Sequence, residues 1–242
     1  MSGHSKWSNI KHKKEKTDAQ KAKVFTKIGK EISMAVKAGG PDPSSNSKLR
    51  DLIAKAKSNN VPNDNIERTI KKAASSDSET YEAITYEGYG PSGVAVIVET
   101  ATDNRNRTGA DLRHYFDKFG AGLGTTGCVS YLFHEAGVII LESEKSEDEV
   151  MEDALEAGAE DINSTEENTF EITTAPNDLS EVREALAEKG YTILSAENDK
   201  IPASTVTLTD DDAITKMRRL LDALDENEDV QEVFHNLEND LD

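Results

Sequence analysis

The amino-acid sequence predicts an α+β fold of three domains: an N-terminal three-helix bundle and two α/β domains, the third inserted into the second. Apolar residues recur every three or four positions in residues 1–75, which is helical spacing. From Tyr81 onward, apolar and polar residues alternate as in half-buried strands, and residues 135–205 show a β-α-β-β-α-β order of their own. We therefore place the domains at 1–75, at 80–134 plus 206–242, and at 135–205.

Charge is distributed unevenly along the 242 residues, whose formal net charge is −19. Residues 1–75 contain 17 Lys and Arg against 7 Asp and Glu, a net of +10, whereas residues 76–242 carry a net of −29. Such an asymmetry indicates a contact with nucleic acid or another anionic surface at the basic end. The alternative is a lysine-rich helix face that is only solvated. The clustering of Lys with His, Asn and Trp near the N-terminus favours nucleic acid.

The first predicted helix runs from about Thr17 to Lys37, because its apolar residues fall on one side. The apolar side comprises Phe25, Ile28, Ile32 and Val36, and the opposite side carries Lys23, Lys27, Lys30 and Lys37. We expect the apolar stripe to pack inward and the lysines to project together. The Gly-Gly-Pro sequence at 39–41 predicts the end of this helix, since Gly accepts a left-handed cap and Pro cannot continue the helix.

Two shorter helices complete the predicted bundle. The second follows Asn46 and turns Leu49, Leu52, Ile53 and Ala56 inward. The third follows Pro62, with Asn63 or Asp64 as its N-cap, and places Ile66 and Ile70 on one face. Short helices with narrow apolar stripes are typical of a small bundle.

A strand pair follows the bundle. Ile84 and Tyr86 alternate with polar residues, and an apolar run at 94–98 forms the second strand. The turn between them contains a G-x-G-x-x-G pattern at Gly88, Gly90 and Gly93. A dinucleotide fingerprint must lead from a strand into a helix, so that phosphate meets the helix N-terminus. Because a second strand follows here, we interpret the glycines as a hairpin turn.

The segment Thr-Asp-Asn-Arg-Asn-Arg-Thr at 102–108 leads into a helix that buries Leu112, Tyr115, Phe116 and Phe119, with Asp103 or Asn104 as its cap. Arg105 and Arg107 stand in the first turn, where the helix dipole favours acids. One interpretation pairs them with acids such as Asp103 or Asp111, and the other makes them a phosphate-binding pair. A glycine-rich connection from Gly120 then precedes a strand predicted at 128–133.

The order β-α-β-β-α-β at 135–205 is that of the ferredoxin-like fold. Its first helix opens with a capping box of Ser146 and Glu149. RNA-binding modules of similar topology stack bases on aromatic strand residues in basic surroundings, but this segment has few aromatics and a net charge of −16. A last helix, with a capping box predicted at Thr209 and Asp212, and a strand at 230–237 complete the earlier sheet.

Motifs for catalysis, metal binding and secretion are not evident in the sequence. The chain has one cysteine, Cys128, in an apolar run, and no H-E-x-x-H, C-x-x-C or G-x-S-x-G motif. No apolar run reaches the ~18–20 residues of a membrane helix, and the N-terminus lacks a signal-peptide core. We therefore expect a cytoplasmic protein, or the mature form of an organellar one, that is not an enzyme and has no cofactor or metal. His4 and His12 as an acid–base pair acting on RNA are the weaker alternative.

The candidate nucleic-acid-binding residues are concentrated in the N-terminal tract. Residues 3–16 contain five lysines, two histidines and the only Trp, with one carboxylate among them. Trp7 has two open interpretations, as a stacking platform for an unpaired base or as an anchor for the bundle. The complete candidate set is His4, Lys6, Trp7, Asn9, Lys11, His12, Lys13, Lys14, Lys16, Lys21, Lys23, Lys27, Lys30, Arg105 and Arg107.

Several stretches of this chain strongly resemble the YebC/PmpR family. They include Gly-His-Ser-Lys-Trp-Ser-Asn-Ile-Lys-His-Lys-Lys at 3–14, the 102–108 segment, and residues 17–21, 25–27, 62–68, 120–133 and 200–202. Glu15, Ala121 and Cys128 depart from the expected pattern without interrupting the basic tract. The resemblance implies three domains with the third inserted in the second, a cytoplasmic location and no known enzymatic activity.

The same resemblance implies a role in gene expression. Family members are labelled probable transcriptional regulators that bind DNA, while an organellar member activates synthesis of a cytochrome oxidase subunit and bacterial members relieve ribosomes stalled on proline runs. Our hypothesis is therefore a non-catalytic, DNA-binding transcriptional regulator. The alternative is a translation factor that binds ribosomal RNA, and a weaker one is an adaptor that binds proteins through the acidic domain. No membrane partner is expected, and a monomer is favoured.

Overall fold

The computed structural model describes residues 18–75, 78–166, 168–239 and 241. Seven helices and eight strands lie within these residues, and the strands form two four-stranded sheets. The predicted fold class is confirmed: a helical N-terminal region precedes two α/β regions with antiparallel sheets. No helix in the described part of the chain combines the length and the apolar character needed to cross a membrane.

The N-terminal bundle consists of α1 (Asp18–Gly39), α2 (Ser47–Ser58) and α3 (Asn63–Ala73). Its core contains Ile28, Ile32, Ala35, Val36, Leu49, Leu52, Ala56, Ile66 and Ala73. Asn46 joins two of the helices: its side chain accepts a hydrogen bond from the Leu49 N–H as the N-cap of α2 and donates to the carbonyls of Ala35 and Gly40 at the end of α1.

The predicted N-cap of α3 is wrong. Pro62 occupies the cap position without a side-chain hydrogen bond, and Asn63 and Asp64 lie within the first turn. Proline presets a backbone φ close to the helical value, and Asp64 favours the positive end of the helix dipole. Together these residues start the helix without a capping side chain.

The first sheet has the strand order β3-β1-β2-β8, built from β1 (Glu82–Tyr89), β2 (Ala95–Thr102), β3 (Gly122–Leu123) and β8 (Val230–His235). Strands β1 and β2 form an antiparallel hairpin whose turn is the short 3₁₀ segment Pro91–Gly93, so the prediction of a hairpin at the G-x-G-x-x-G pattern is confirmed. Helices α4 (Arg105–Phe119) and α7 (Asp211–Glu226) contribute Leu112, Phe116, Met217 and Leu220 to its core.

The C-terminal elements complete this sheet, as predicted: β8 pairs antiparallel with β2, with Val233 opposite Val98. The predicted capping box of α7 is wrong, because the helix begins one residue later and Asp210 is its N-cap. The Asp210 carboxylate accepts a hydrogen bond from the Ala213 N–H. Asp and Thr are both good N-cap residues, so local sequence did not separate the two positions.

The strand predicted at 128–133 is also wrong. Residues Ser130–Leu132 form a 3₁₀ turn, and the strand begins later, as β4 (Phe133–Glu142). The buried Glu87 carboxylate on β1 accepts hydrogen bonds from the backbone N–H groups of Gly127, Val129 and Ser130, at 2.8, 2.8 and 2.9 Å. These amides bond a side chain instead of a neighbouring strand. Burial raises the pKa of Glu87, but the backbone hydrogen bonds outweigh it and hold the pKa below its ordinary value.

We expect Glu87→Gln to lower the free energy of unfolding by about 2 kcal/mol, because hydrogen bonds to a charged group contribute roughly 1.5–3 kcal/mol and an amide NH₂ cannot accept them. Urea unfolding measures this loss. Glu82→Gln is the matched control on the same strand, since Glu82 is exposed. Equal stabilities of the two variants would show that Glu87 does not organise this loop.

The second sheet has the order β5-β6-β4-β7 and contains β4, β5 (Asp161–Glu166), β6 (Thr169–Thr174) and β7 (Thr192–Pro202). Helices α5 (Glu147–Glu156) and α6 (Leu179–Glu188) complete the β-α-β-β-α-β order, which is the ferredoxin-like arrangement that the sequence predicted. The capping box of Ser146 and Glu149 is confirmed.

Two compact units result from this arrangement. Residues 134–201 form one, and residues 18–133 together with the C-terminal elements from residue 202 form the other. The bundle and the first sheet therefore belong to the same compact unit.

Candidate nucleic-acid interface

The predicted nucleic-acid-binding residues divide into two groups. His4, Lys6, Trp7, Asn9, Lys11, His12, Lys13, Lys14 and Lys16 lie outside the described residues. Lys21, Lys23, Lys27, Lys30, Arg105 and Arg107 lie within them, on α1 and on the first turn of α4.

The lysines of α1 do not form one common solvated row. Lys21 is exposed and Lys23 is half-buried. Lys27 lies 3.2 Å from the Asp225 carboxylate. Lys37 donates hydrogen bonds to the carbonyls of Ser78 and Glu79 and to the Thr80 hydroxyl, which attaches the start of the following segment to the bundle. Part of the cationic side of α1 therefore faces groups of the protein itself.

Lys30 extends from α1 to a buried carboxylate beside the first sheet. Its Nζ lies 2.8 Å from Asp229 Oδ1 and donates to the carbonyls of Glu228 and Ala101. The Lys30 and Asp229 side chains are only 11% and 7% exposed. Residues that lie 199 positions apart thus form a buried ion pair between the bundle and the first sheet.

The other carboxylate oxygen of Asp229 contacts a second cation and two hydroxyl groups. Arg107 Nη2 lies 2.7 Å from Asp229 Oδ2, and the hydroxyls of Thr108 and Thr102 donate to the same oxygen at 2.8 and 3.2 Å. We call Lys30, Thr102, Arg107, Thr108 and Asp229 the Asp229 cluster. Both carboxylate oxygens are hydrogen-bonded, which is what a buried charge requires.

The cluster changes the ionisation of its members. Burial raises the pKa of Asp229, but hydrogen bonds from Arg107, Lys30 and Thr108 outweigh burial and lower that pKa to about 2. The hydrogen bonds to Asp229 and then to Asp103 raise the pKa of Arg107 above its ordinary value. The carboxylate and the guanidinium are therefore both charged across the physiological range of pH.

The surroundings of Arg107 favour pairing over phosphate binding. Besides Asp229, Arg107 contacts Asp103 at 2.7 Å, which is one of the two partners expected from the sequence. The polar cavity of about 530 Å³ beside it is lined by two cations, Lys30 and Arg107, and by five acids: Glu79, Asp103, Asp111, Glu228 and Asp229. Such a cavity repels phosphate. Arg105 differs, because its side chain is 66% exposed and its contact with Glu82 is long, at 3.6 Å.

Lowering the pH should remove the stability that the ionised Asp229 carboxylate contributes. The pKa of Asp229 is lowered from an ordinary 3.8 to about 2 in the folded protein, so its contribution to stability is present above pH about 4 and is lost as the pH falls toward 2. We expect the stability difference between the natural protein and Asp229→Asn to shrink by about 2 kcal/mol over that window. Urea unfolding at a series of pH values measures it, and a constant difference would contradict the assignment.

Sequence reasoning missed the cations of the two shorter helices. Exposed basic side chains on α2 and α3 are Lys48, Arg50, Lys57, Arg68, Lys71 and Lys72. The net charge of residues 1–75 already included them, and their helical phase, outside the apolar stripes that contain Leu49, Leu52 and Ile66, was the signal that could have identified them. They provide exposed positive charge on the described part of the bundle.

The fold and this charge distribution define a multidomain α/β protein with a basic helical end and an acidic ferredoxin-like unit. Family models match both parts: the "TACO1/YebC protein N-terminal domain" over residues 5–76, and the "TACO1/YebC second and third domain" over residues 81–237. The chain therefore belongs to the TACO1/YebC family, and the resemblance inferred from its motifs is confirmed.

Relatives match over nearly the whole chain. A protein of Acetivibrio thermocellus is 59% identical over 239 residues and 98% of each chain. One of Caldicellulosiruptor saccharolyticus is 58% identical, covering 98% of this chain and 99% of that one. Both are named "Probable transcriptional regulatory protein", which describes regulators rather than enzymes. The crystal structure of a conserved hypothetical protein from Aquifex aeolicus has a TM-score of 0.83 at 46% identity, covering 93% of each chain.

Proposed function

We propose that this protein is a non-catalytic, cytoplasmic regulator of gene expression that binds nucleic acid through its basic N-terminal domain. The observation that carries the proposal is the segregation of charge, with a net of +10 in residues 1–75 and −29 in the remainder. The names of its relatives agree with a regulatory role. The proposed surface comprises the N-terminal tract, exposed Lys21 and Arg105, and half-buried Lys23.

Segregated charge gives such a protein an orientation. The basic end is attracted to a sugar-phosphate backbone, while the acidic remainder is repelled by it, so one docking direction is favoured. Lysine side chains contact phosphate and carry no base information of their own. We therefore expect affinity to be largely independent of sequence, unless another group contacts the bases.

DNA and ribosomal RNA are the two candidate ligands. The relatives' names favour DNA. The net charge of −29 beyond residue 75 supports the second candidate, ribosomal RNA. A long DNA duplex would be repelled by these acidic residues everywhere except where the basic domain docks, whereas a single basic domain can insert into a folded RNA. In that case the protein is a translation factor that acts on stalled ribosomes.

Crosslinking in cells, followed by sequencing of the attached DNA and the attached RNA, distinguishes the two. Enriched chromosomal sites support the transcriptional regulator, and ribosomal RNA fragments without enriched DNA support the translation factor. Nucleic-acid binding is excluded if neither pool is enriched and a chain lacking residues 1–16 keeps its cellular function. The protein is then better described as an adaptor that binds proteins through the acidic unit.

A further inference from the structure

A glycine in the middle of α1 lines a groove between α1 and α3. Gly29 lies near the centre of the 22-residue α1, where glycine costs roughly 1 kcal/mol relative to alanine. Its backbone does not require glycine, since its φ is not in the left-handed region. Neither does packing, because an added Cβ would meet only the Thr69 methyl group, at 4.0 Å. What the missing side chain provides is open space.

That space belongs to a cavity of about 350 Å³, within the ~300–1,000 Å³ range of small-molecule pockets. The buried side chains of Ile28, Ile32 and Ile66 give it apolar walls beside Gly29. Phe25 also lines the cavity while remaining half-buried, so an aromatic ring is available to an occupant. A cavity of this volume with these walls can hold an apolar group such as a planar ring.

The polar lining of the cavity matches a nucleotide. Arg68 and Lys72 are exposed, one turn apart on α3, and can contact a phosphate attached to the buried group. The Glu79 carboxylate also lines the cavity, next to Lys72 at 3.9 Å, and accepts a hydrogen bond from the Tyr81 hydroxyl at 2.6 Å. A carboxylate is an acceptor for the exocyclic amino group of a base.

We propose that this groove holds one unpaired nucleobase of a single-stranded segment, with Phe25 against the base and Arg68 and Lys72 at its phosphate. The inference rests on the proposed function and extends it, because it adds a contact to a base where lysines contact only the backbone. An apolar side chain of a protein partner could also fit such a cleft, but it offers no negative charge to Arg68 and Lys72, whose contacts in the protein are the Asn65 amide oxygen and the exposed Glu79 carboxylate.

The test compares the affinities of the full chain for two short single-stranded oligonucleotides, one intact and one with abasic sites, each made as RNA and as DNA. We expect the natural protein to bind the intact strand roughly 5- to 150-fold more tightly, the range for stacking one base. Gly29→Leu, which fills the groove, should bring this ratio close to one, and Gly29→Ala should lower it by less. Ala38→Leu is the matched control, because it places the same leucine side chain at an exposed position of the same helix, and it should keep the ratio.

Phe25→Leu provides a second test if Gly29→Leu does not fold. It should also lower the ratio of the two affinities, because the stacking ring is lost while apolar volume remains. Thermal unfolding confirms that each variant is folded. Equal affinity of the natural protein for intact and abasic strands overturns the pocket but leaves phosphate binding standing. A ratio that persists in both Gly29→Leu and Phe25→Leu overturns it as well. If the natural protein binds neither strand, the pocket is overturned as well, while the proposed function is tested separately by binding to a DNA duplex and to a ribosomal RNA fragment.

Discussion

Replacing Lys11, Lys13 and Lys14 together with glutamate is expected to lower the affinity for nucleic acid at least 100-fold, while the unfolding temperature stays the same. The plot of log affinity against log salt becomes less steep by about one for each phosphate contact that is lost. Its slope should therefore decrease in magnitude by about three. The three glutamates add repulsion to this loss. The fold should persist, because the described hydrophobic cores are assembled from residues of the helices and sheets beyond residue 23.

The matched control replaces the same three lysines with arginine. Arginine keeps the positive charge and binds phosphate at least as well, so this variant should retain both the affinity and the slope. Full binding by the glutamate variant would remove the N-terminal tract from the interface. Loss of binding by the arginine variant as well would mean that the tract acts through its shape rather than its charge.

Asp229→Ala should lower the free energy of unfolding by about 3–5 kcal/mol, which is the usual cost of breaking a buried ion pair by removing one partner. Lys30 is only 11% exposed, so its ammonium would be left without a countercharge in poor contact with water. Arg107 would lose the partner that its exposed contact with Asp103 cannot replace. Urea unfolding measures the change.

Asp225→Ala is the control for that substitution. Asp225 also pairs with a lysine of α1, Lys27, but its side chain is 74% exposed, and exposed pairs contribute at most about 1 kcal/mol. A further variant, Lys30→Met combined with Asp229→Leu, should recover part of the stability, because it leaves neither charge of that pair buried alone. If Asp229→Ala cost no more than Asp225→Ala, the Asp229 cluster would not hold the bundle against the first sheet.

The parts of the fold that sequence predicted are those encoded by local patterns. Helical spacing located α1, α2 and α3, and the ferredoxin-like order of residues 135–205 followed from a succession of strands and helices. The capping box of Ser146 and Glu149 was predictable because both partners lie within one turn. Charge segregation is a property of the sequence itself and needed no structure.

The larger failures share a physical cause, which is a contact between distant residues, whereas the misplaced N-caps of α3 and α7 are local errors between neighbouring positions. Residues 128–133 have strand-like composition, but the Glu87 carboxylate, some 40 residues away, takes their backbone N–H groups. One of the two interpretations of Arg107 paired it with a local acid such as Asp103, and that contact is present, while its other partner, Asp229, lies 122 residues further on. The groove beside Gly29 likewise exists only because α3 packs against α1.

The most direct test of the proposed function is the salt dependence of binding. The affinity of the full-length protein for a DNA duplex, and for a ribosomal RNA fragment, is measured as the salt concentration is raised. If about six lysines each displace a counterion from phosphate, log affinity for the duplex should fall with log salt at a slope of about −5. If ribosomal RNA is the ligand, the affinity for the RNA fragment should also fall steeply as salt is added. A flat dependence for both would contradict the claim that the basic end binds nucleic acid through its charge.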